Sequence, residues 1–148
     1  MNLLIALDPG RSKCGLILVD YRQSRVLAGH VVLPTAVLKL VNKWARHQLL
    51  DRIIIGNGTG GTQWIRAFTG LAKIHRVNEY GTTLRARRRY WELWPPKGWQ
   101  RLLPTGLRLP PKELDAIAAL VMLEDHLGYR CAWPGPPPDF SLKTWPEL

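Results

Sequence analysis

The sequence predicts an α/β domain on a mixed five-stranded sheet, three antiparallel strands followed by parallel ones, flanked by helices. Three observations carry that expectation. Short β-rich apolar runs at 2–8, 14–20 and 25–33 are separated only by turn-length segments, the mark of an antiparallel meander. Two further runs, 52–56 and 73–78, enclose a segment of helical periodicity, so that unit should be parallel and right-handed. At 148 residues, 46% of them hydrophobic, the chain matches one domain with enough apolar content for a proper core.

The elements follow in order. Asn2 to Leu7 is an apolar run that ends in Asp8 and is stopped by Pro9-Gly10, which suits a central buried strand better than a helix. Cys14–Asp20 and Arg25–Leu33 complete the meander around the polar turn Tyr21-Arg22-Gln23-Ser24. After Pro34, Thr35 is placed to cap a helix whose apolar residues Val37, Leu38, Val41, Trp44, Ala45 and Leu49 recur at helical spacing. Arg52–Gly56 is a strand, 57–61 a glycine-rich loop, and Thr62 to Leu71 a second helix leading to the strand at 73–78. Thr82-Thr83 can cap a helix that runs to Leu93 and stops before Pro95-Pro96. A proline-rich loop, 95–111, precedes a last helix from Lys112 to Leu127, apolar enough in its middle to be buried against the sheet. Residues 1–127 thus form the domain. Residues 128–148, with five prolines, form a tail expected to be extended or disordered.

Lys and Arg number 21 against 11 Asp and Glu, and the net charge of +10 favours a polyanionic partner such as nucleic acid over a membrane surface. No stretch approaches ~20 apolar residues. The opening run has no basic segment before it and is cut by Asp8-Pro9-Gly10-Arg11, unlike a signal peptide, so a cytoplasmic protein is expected. Cys14 and Cys131 are far apart, and His30, His47, His75 and His126 lack ligand spacing, which points to neither zinc nor disulfides. From Lys73 to Lys112 only Glu79 and Glu92 oppose a run of Lys and Arg. Arg85, Arg88 and Arg89 should share one helix face, with Leu84, Trp91 and Leu93 or Trp94 turned inward. Guanidinium forks suit phosphate. The candidate nucleic-acid contacts are Arg11, Lys13, Arg85, Arg87, Arg88, Arg89, Lys97, Arg101 and Arg108, with Tyr90, Trp91, Trp94 and Trp99 as candidates to stack on unpaired bases. The loop at 56–61 either offers N–H groups to a phosphate or is a plain turn; it matches neither the dinucleotide fingerprint nor a P-loop.

Asp8, Glu79 and Asp115 each adjoin core-forming residues. A desolvated carboxylate costs several kcal/mol unless it is neutralised, paired or coordinated. Each acid has a plain alternative: a turn at Pro9-Gly10, an acid preceding a helix, or complement to a helix N-terminus. Together they suggest one site of hard oxygen ligands for Mg²⁺ or Mn²⁺. Two such ions can activate water and stabilise the leaving oxygen in phosphodiester hydrolysis.

Leu7-Asp8-Pro9-Gly10-Arg11-Ser12-Lys13-Cys14-Gly15, the run Asn78-Glu79-Tyr80-Gly81-Thr82-Thr83-Leu84-Arg85-Ala86-Arg87, and Leu114-Asp115-Ala116-Ile117-Ala118-Ala119 resemble, in order and spacing, the three motifs of the YqgF/RuvX family of Holliday-junction-resolvase-like nucleases. The resemblance spans about residues 2–127. It implies a ribonuclease H-like fold, with Asp8, Glu79 and Asp115 as the metal-binding catalytic triad; in a two-ion scheme Asp8 would bridge both ions, with the other acids completing one each. It also implies a substrate, either the small-subunit ribosomal RNA precursor at its 5′ end, with the ribosome as a further partner, or branched DNA. Monomer and homodimer both remain open. Where the family has Asp-Glu-Arg, this chain reads Asn78-Glu79-Tyr80, which motivates a rival reading as a catalytically inactive RNA- or ribosome-binding module. A sugar-kinase or actin-like ATPase also begins Asp-x-Gly after a first strand, but it needs two such domains to enclose a nucleotide.

Overall fold

The computed structural model describes residues 2–58, 60–79, 81–110 and 113–141. Its strands are β1 (Leu3–Asp8), β2 (Cys14–Asp20), β3 (Arg25–Val32), β4 (Leu50–Gly56), β5 (Lys73–Val77) and β6 (Phe140–Ser141). They form one sheet of order β5-β4-β1-β2-β3-β6. β1, β2 and β3 pair antiparallel, while β4 lies parallel to β1 and β5 parallel to β4, the mixed five-stranded arrangement expected from the apolar runs. The two-residue β6 extends that sheet, parallel to β3.

Among the described residues four α-helices cover the faces: α1 (Pro34–His47), α2 (Gly61–Phe68), α3 (Thr82–Leu93) and α4 (Asp115–Leu127). Side chains of a strand alternate between faces, and here the alternation sorts the core into two layers. Leu3, Ile5 and Leu7 pack with the buried side chains of α1 and α2, whereas Leu4, Ala6, Ile17 and Ile54 pack with those of α3 and α4. Every residue of α4 from Ala116 to Glu124 is buried, and the helix packs on β1 and β2 as well as on α3. At ~1.5–3 kcal/mol for each large apolar side chain buried, that packing holds the start of α4 in place.

The helix starts differ from expectation. Pro34 itself opens α1, its fixed φ suiting the first helical position, so Thr35 is not the cap. Gly81, with φ at +70°, precedes α3, and the Thr82 hydroxyl donates to the Glu79 carbonyl at 2.8 Å instead of capping the helix. α2 is shorter than the stretch 62–71, and α4 begins at Asp115, residues 111 and 112 lying outside the described ones.

α3 turns Trp91 inward as expected, with Leu93 and Trp94 partly buried beside the core, but Leu84 and Arg89 depart from expectation. Ala86, Arg89, Tyr90 and Trp91 are buried, while Leu84 is 72% exposed. With Ala86 and Tyr90 as the inner rail, Arg89 falls beside them at spacings of three and one. Its guanidinium grips both carboxylate oxygens of Glu124 at 2.9 Å and the Cys131 carbonyl at 2.9 Å. The Cys131 N–H returns to Glu124 at 2.7 Å, so this buried pair ties α3 and α4 to the chain beyond them. That chain runs beside β3: the Val26 N–H donates to the Ala132 carbonyl, and the Trp133 ring lies where a side chain at Gly29 would stand. Residues 142–148 of the proline-rich stretch lie outside the described residues. Among the described residues no helix is long and apolar enough to cross a membrane.

Candidate active site

Strand parity builds the site. Leu4, Ala6 and Asp8 share the face of β1 that meets α3 and α4, so the carboxylate that ends the strand points to the layer holding Asp115 and Glu79. Asp8 stands opposite Gly15 in the β1–β2 register. A Cβ at Gly15 would overlap the Asp115 carbonyl and the Ala116 nitrogen, so only glycine lets the first turn of α4 come down over β2 beside Asp8.

Glu79 is seated against two further glycines. A Cβ at Gly56 would coincide with one of its carboxylate oxygens, and one at Gly58 with the other. Its backbone is fixed from both sides: its N–H donates to Asn57 Oδ1 at 3.3 Å, and its carbonyl accepts from the Thr82 N–H and hydroxyl. Gly56 and Gly58 therefore make room for a carboxylate. These three glycines were not recognised as site residues from the sequence. The only signal they gave is a glycine inside a strand, or at its end, within reach of a candidate acid.

The electrostatics are those of neighbouring, partly buried acids. Burial, then a hydrogen bond with Glu79, then the charges of Glu79 and Asp115 push Asp8 up to about 8 from its ordinary 3.8. Neighbouring like charges and burial both favour the protonated form of Asp8. Asp115 is raised too, chiefly by burial, against the lowering effects of its own backbone N–H and of Lys13. Glu79 Oε1 is buried with no hydrogen-bond partner. Among the described residues no three His, Cys, Asp or Glu side chains are grouped closely enough to hold one ion, so the three acids do not converge as tightly as expected. The tight element is the Asp8–Glu79 pair, with Asp115 within electrostatic reach. An oxygen-only set containing a mutually repelling pair and an orphaned buried oxygen fits a hard divalent cation, since Mg²⁺ takes one or two carboxylates and completes its shell with water and phosphate.

Asp8 and Asp115 open onto a cavity of about 370 Å³ that Thr83, Arg87, Leu109 and Glu113 also line. Arg87 shares the lining of this cavity, and its Nε is buried without a hydrogen-bond partner. Lys13 pairs with Glu113 at 2.9 Å at the cavity's edge. The other candidate cations are dispersed. Arg11, Arg88, Lys97 and Arg101 are exposed, and Arg85 is exposed and paired with Asp125 at 2.5 Å. Two expectations are corrected. Arg89 is withdrawn from any surface by its clamp on Glu124, and the Arg108 guanidinium is spent on the backbone carbonyls of Gln100 and Arg101. Of the aromatics, Tyr90 and Trp91 are core, Trp94 is half-buried against Trp133, and Trp99 is 70% exposed.

No protein family and no curated protein matches the chain. Among solved structures, the fowlpox virus resolvase, determined with its substrate Holliday junction DNA, superposes with a TM-score of 0.54 at 11% identity, over 85% of this chain and 97% of that one. RuvC of Thermus thermophilus in complex with a Holliday junction substrate gives a TM-score of 0.47 at 13% identity, over 88% of this chain and 99% of that one. The fold is resolvase-like and ribonuclease H-like.

Proposed function

We propose that the chain is a metal-dependent nuclease that hydrolyses phosphodiester bonds in structured nucleic acid. The observation that supports it most is the Asp8 carboxylate, lodged against Glu79 and under the charge of Asp115 at the carboxyl end of the central strand. Asp8 and Glu79 would hold a Mg²⁺ or Mn²⁺ ion, with Asp115 serving a second, and such ions supply an activated water and charge stabilisation at the leaving oxygen. The chain's own groups do the positioning. Gly56 and Gly58 hold the Glu79 carboxylate at the end of β4, and Gly15 holds Asp115 close to Asp8. Arg87, its Nε otherwise unpartnered, offers a cationic fork to a phosphate that enters the cavity.

Two substrates compete. The motifs around Asp8, Glu79 and Asp115 resemble those of the YqgF/RuvX family and favour the 5′ end of a small-subunit ribosomal RNA precursor, in the cytoplasm. The likeness of fold to a resolvase determined with a Holliday junction favours branched DNA. The test is cleavage of a labelled precursor RNA and a labelled four-way DNA junction with Mn²⁺ or Mg²⁺. Loss of product in Asp8→Asn with the fold intact supports the proposal, and unchanged cleavage removes it. A second reading, a binding module without turnover, is favoured by Asn78 and by the absence of a three-acid group among the described residues. It predicts tight, steeply salt-dependent RNA binding with no product at high protein concentration.

A further inference from the structure

Between Glu92 and Glu113 the chain carries Lys97, Arg101, Arg108 and Lys112 and no acid. Within that stretch Trp99 is 70% exposed and Leu102 is 87% exposed, with Leu107 and Leu109 also exposed. Large apolar side chains displayed together on an ordered loop mark a surface that something covers. This loop is ordered. Gly98–Leu102 and Thr105–Leu107 are 3₁₀ turns, Arg108 binds the carbonyls of Gln100 and Arg101, and the Trp91 indole donates to the Arg108 carbonyl at 3.4 Å. In a 3₁₀ turn residues i and i+3 eclipse, so Trp99 and Leu102 stand on one edge. Leu109, at the far end of the loop, lines the cavity that contains Asp8 and Arg87.

Resting on the nucleic-acid reading above, we propose that residues 97–109 form a base-stacking platform that engages unpaired nucleotides beside the acidic cavity. Trp99 would stack on a base and Leu102 support it on the same edge, while Lys97 and Arg101 meet the flanking phosphates. Stacking of this kind tolerates any base, because every base has a π-face. The uncompensated positive charge favours a polyanion over a second copy of this chain, since two such loops docked on each other would repel.

The test measures binding in EDTA, so its result does not depend on whether the chain cleaves. The probes are a blunt fluorescein-labelled RNA hairpin and the same hairpin carrying an oligo-uridine overhang of about ten nucleotides, within the usual footprint of such surfaces. The chain should prefer the overhang. Trp99→Ala combined with Leu102→Ala should weaken overhang binding by roughly tenfold or more and blunt-hairpin binding by less than about twofold, with Trp99→Phe retaining most of the affinity. Lys97→Ala combined with Arg101→Ala should weaken both probes and flatten the salt dependence. Equal losses on both probes, or no loss in the Trp99/Leu102 variant, overturn the proposal. So does a wild-type dimer in sedimentation that the same variant converts to monomer, because the loop is then a subunit contact. Absence of cleavage in a separate Mn²⁺ assay would count against the nuclease alone.

Discussion

Asp8→Asn separates the two demands on the acidic pair, because the asparagine keeps the shape of a protonated aspartate without its cost. With its folded pKa at about 8 against 3.8 ordinarily, Asp8 keeps its proton at pH 7 in the folded chain and releases it in the unfolded one. Folding therefore takes up a proton. For an acid raised in this way, stability is full below about pH 4 and is lost as the pH climbs toward about 8. At about 1.4 kcal/mol per pH unit, the interval from 3.8 to neutrality caps the loss near ~4 kcal/mol. Water entry and local relaxation reduce it, so Asp8→Asn should stabilise the metal-free protein by about 1–3 kcal/mol at pH 7 and by almost nothing near pH 4. Urea unfolding in EDTA across that range measures the difference. Added Mn²⁺ should shrink or reverse that difference, since a ligand at about 100 times its Kd adds about 2.7 kcal/mol to the protein that binds it and Asp8→Asn should bind it poorly. A difference between wild type and variant that is flat with pH, or an equal Mn²⁺ response in both, would refute the crowded-carboxylate reasoning.

Three further outcomes follow from the packing. Gly15→Ala places a Cβ on the backbone at Asp115, which cannot move aside as a side chain can. It should cost about 1–3 kcal/mol or more by urea unfolding, and a cost under about 0.5 kcal/mol would contradict the close approach of α4. Gly56→Ala instead meets the movable end of Glu79. Its stability should fall by less than about 1 kcal/mol while the Mn²⁺-dependent thermal shift disappears; a full shift would show that Glu79 is not needed for the ion. Arg89→Ala leaves Glu124 buried and uncompensated, at a cost of about 3–5 kcal/mol, and Arg89→Lys should recover little because Arg89 uses both arms of its fork. An RNA-binding defect in Arg89→Ala without a stability loss would return that residue to the surface.

Much of this was legible in one dimension. The apolar runs give the strands, and their spacing gives the change from antiparallel to parallel, because a short turn permits only the former and an intervening helix the latter. The end of the first apolar run already placed Asp8 at the carboxyl end of a central strand, and the unbroken apolar stretch of the last helix placed Asp115 on an element covering the sheet. Where local rules competed, tertiary packing prevailed. Arg89 and Leu84 exchanged their expected sides because Glu124, 35 residues on, offered the guanidinium a buried partner.

Charge alone could not tell which basic residues face outward. Arg85, Arg87, Arg89 and Arg108 are alike as sequence, yet the first pairs on the surface, the second lines the cavity that Asp8 and Asp115 share, the third is buried and the fourth closes its own loop. Nor could spacing tell that the glycines at 15, 56 and 58 are recesses for the backbone at Asp115 and the side chain of Glu79. Periodicity along a chain records which side of an element a residue takes. The distance between two carboxylates, and the absence of a Cβ that permits it, depends on elements far apart in sequence, and only their packing decides it.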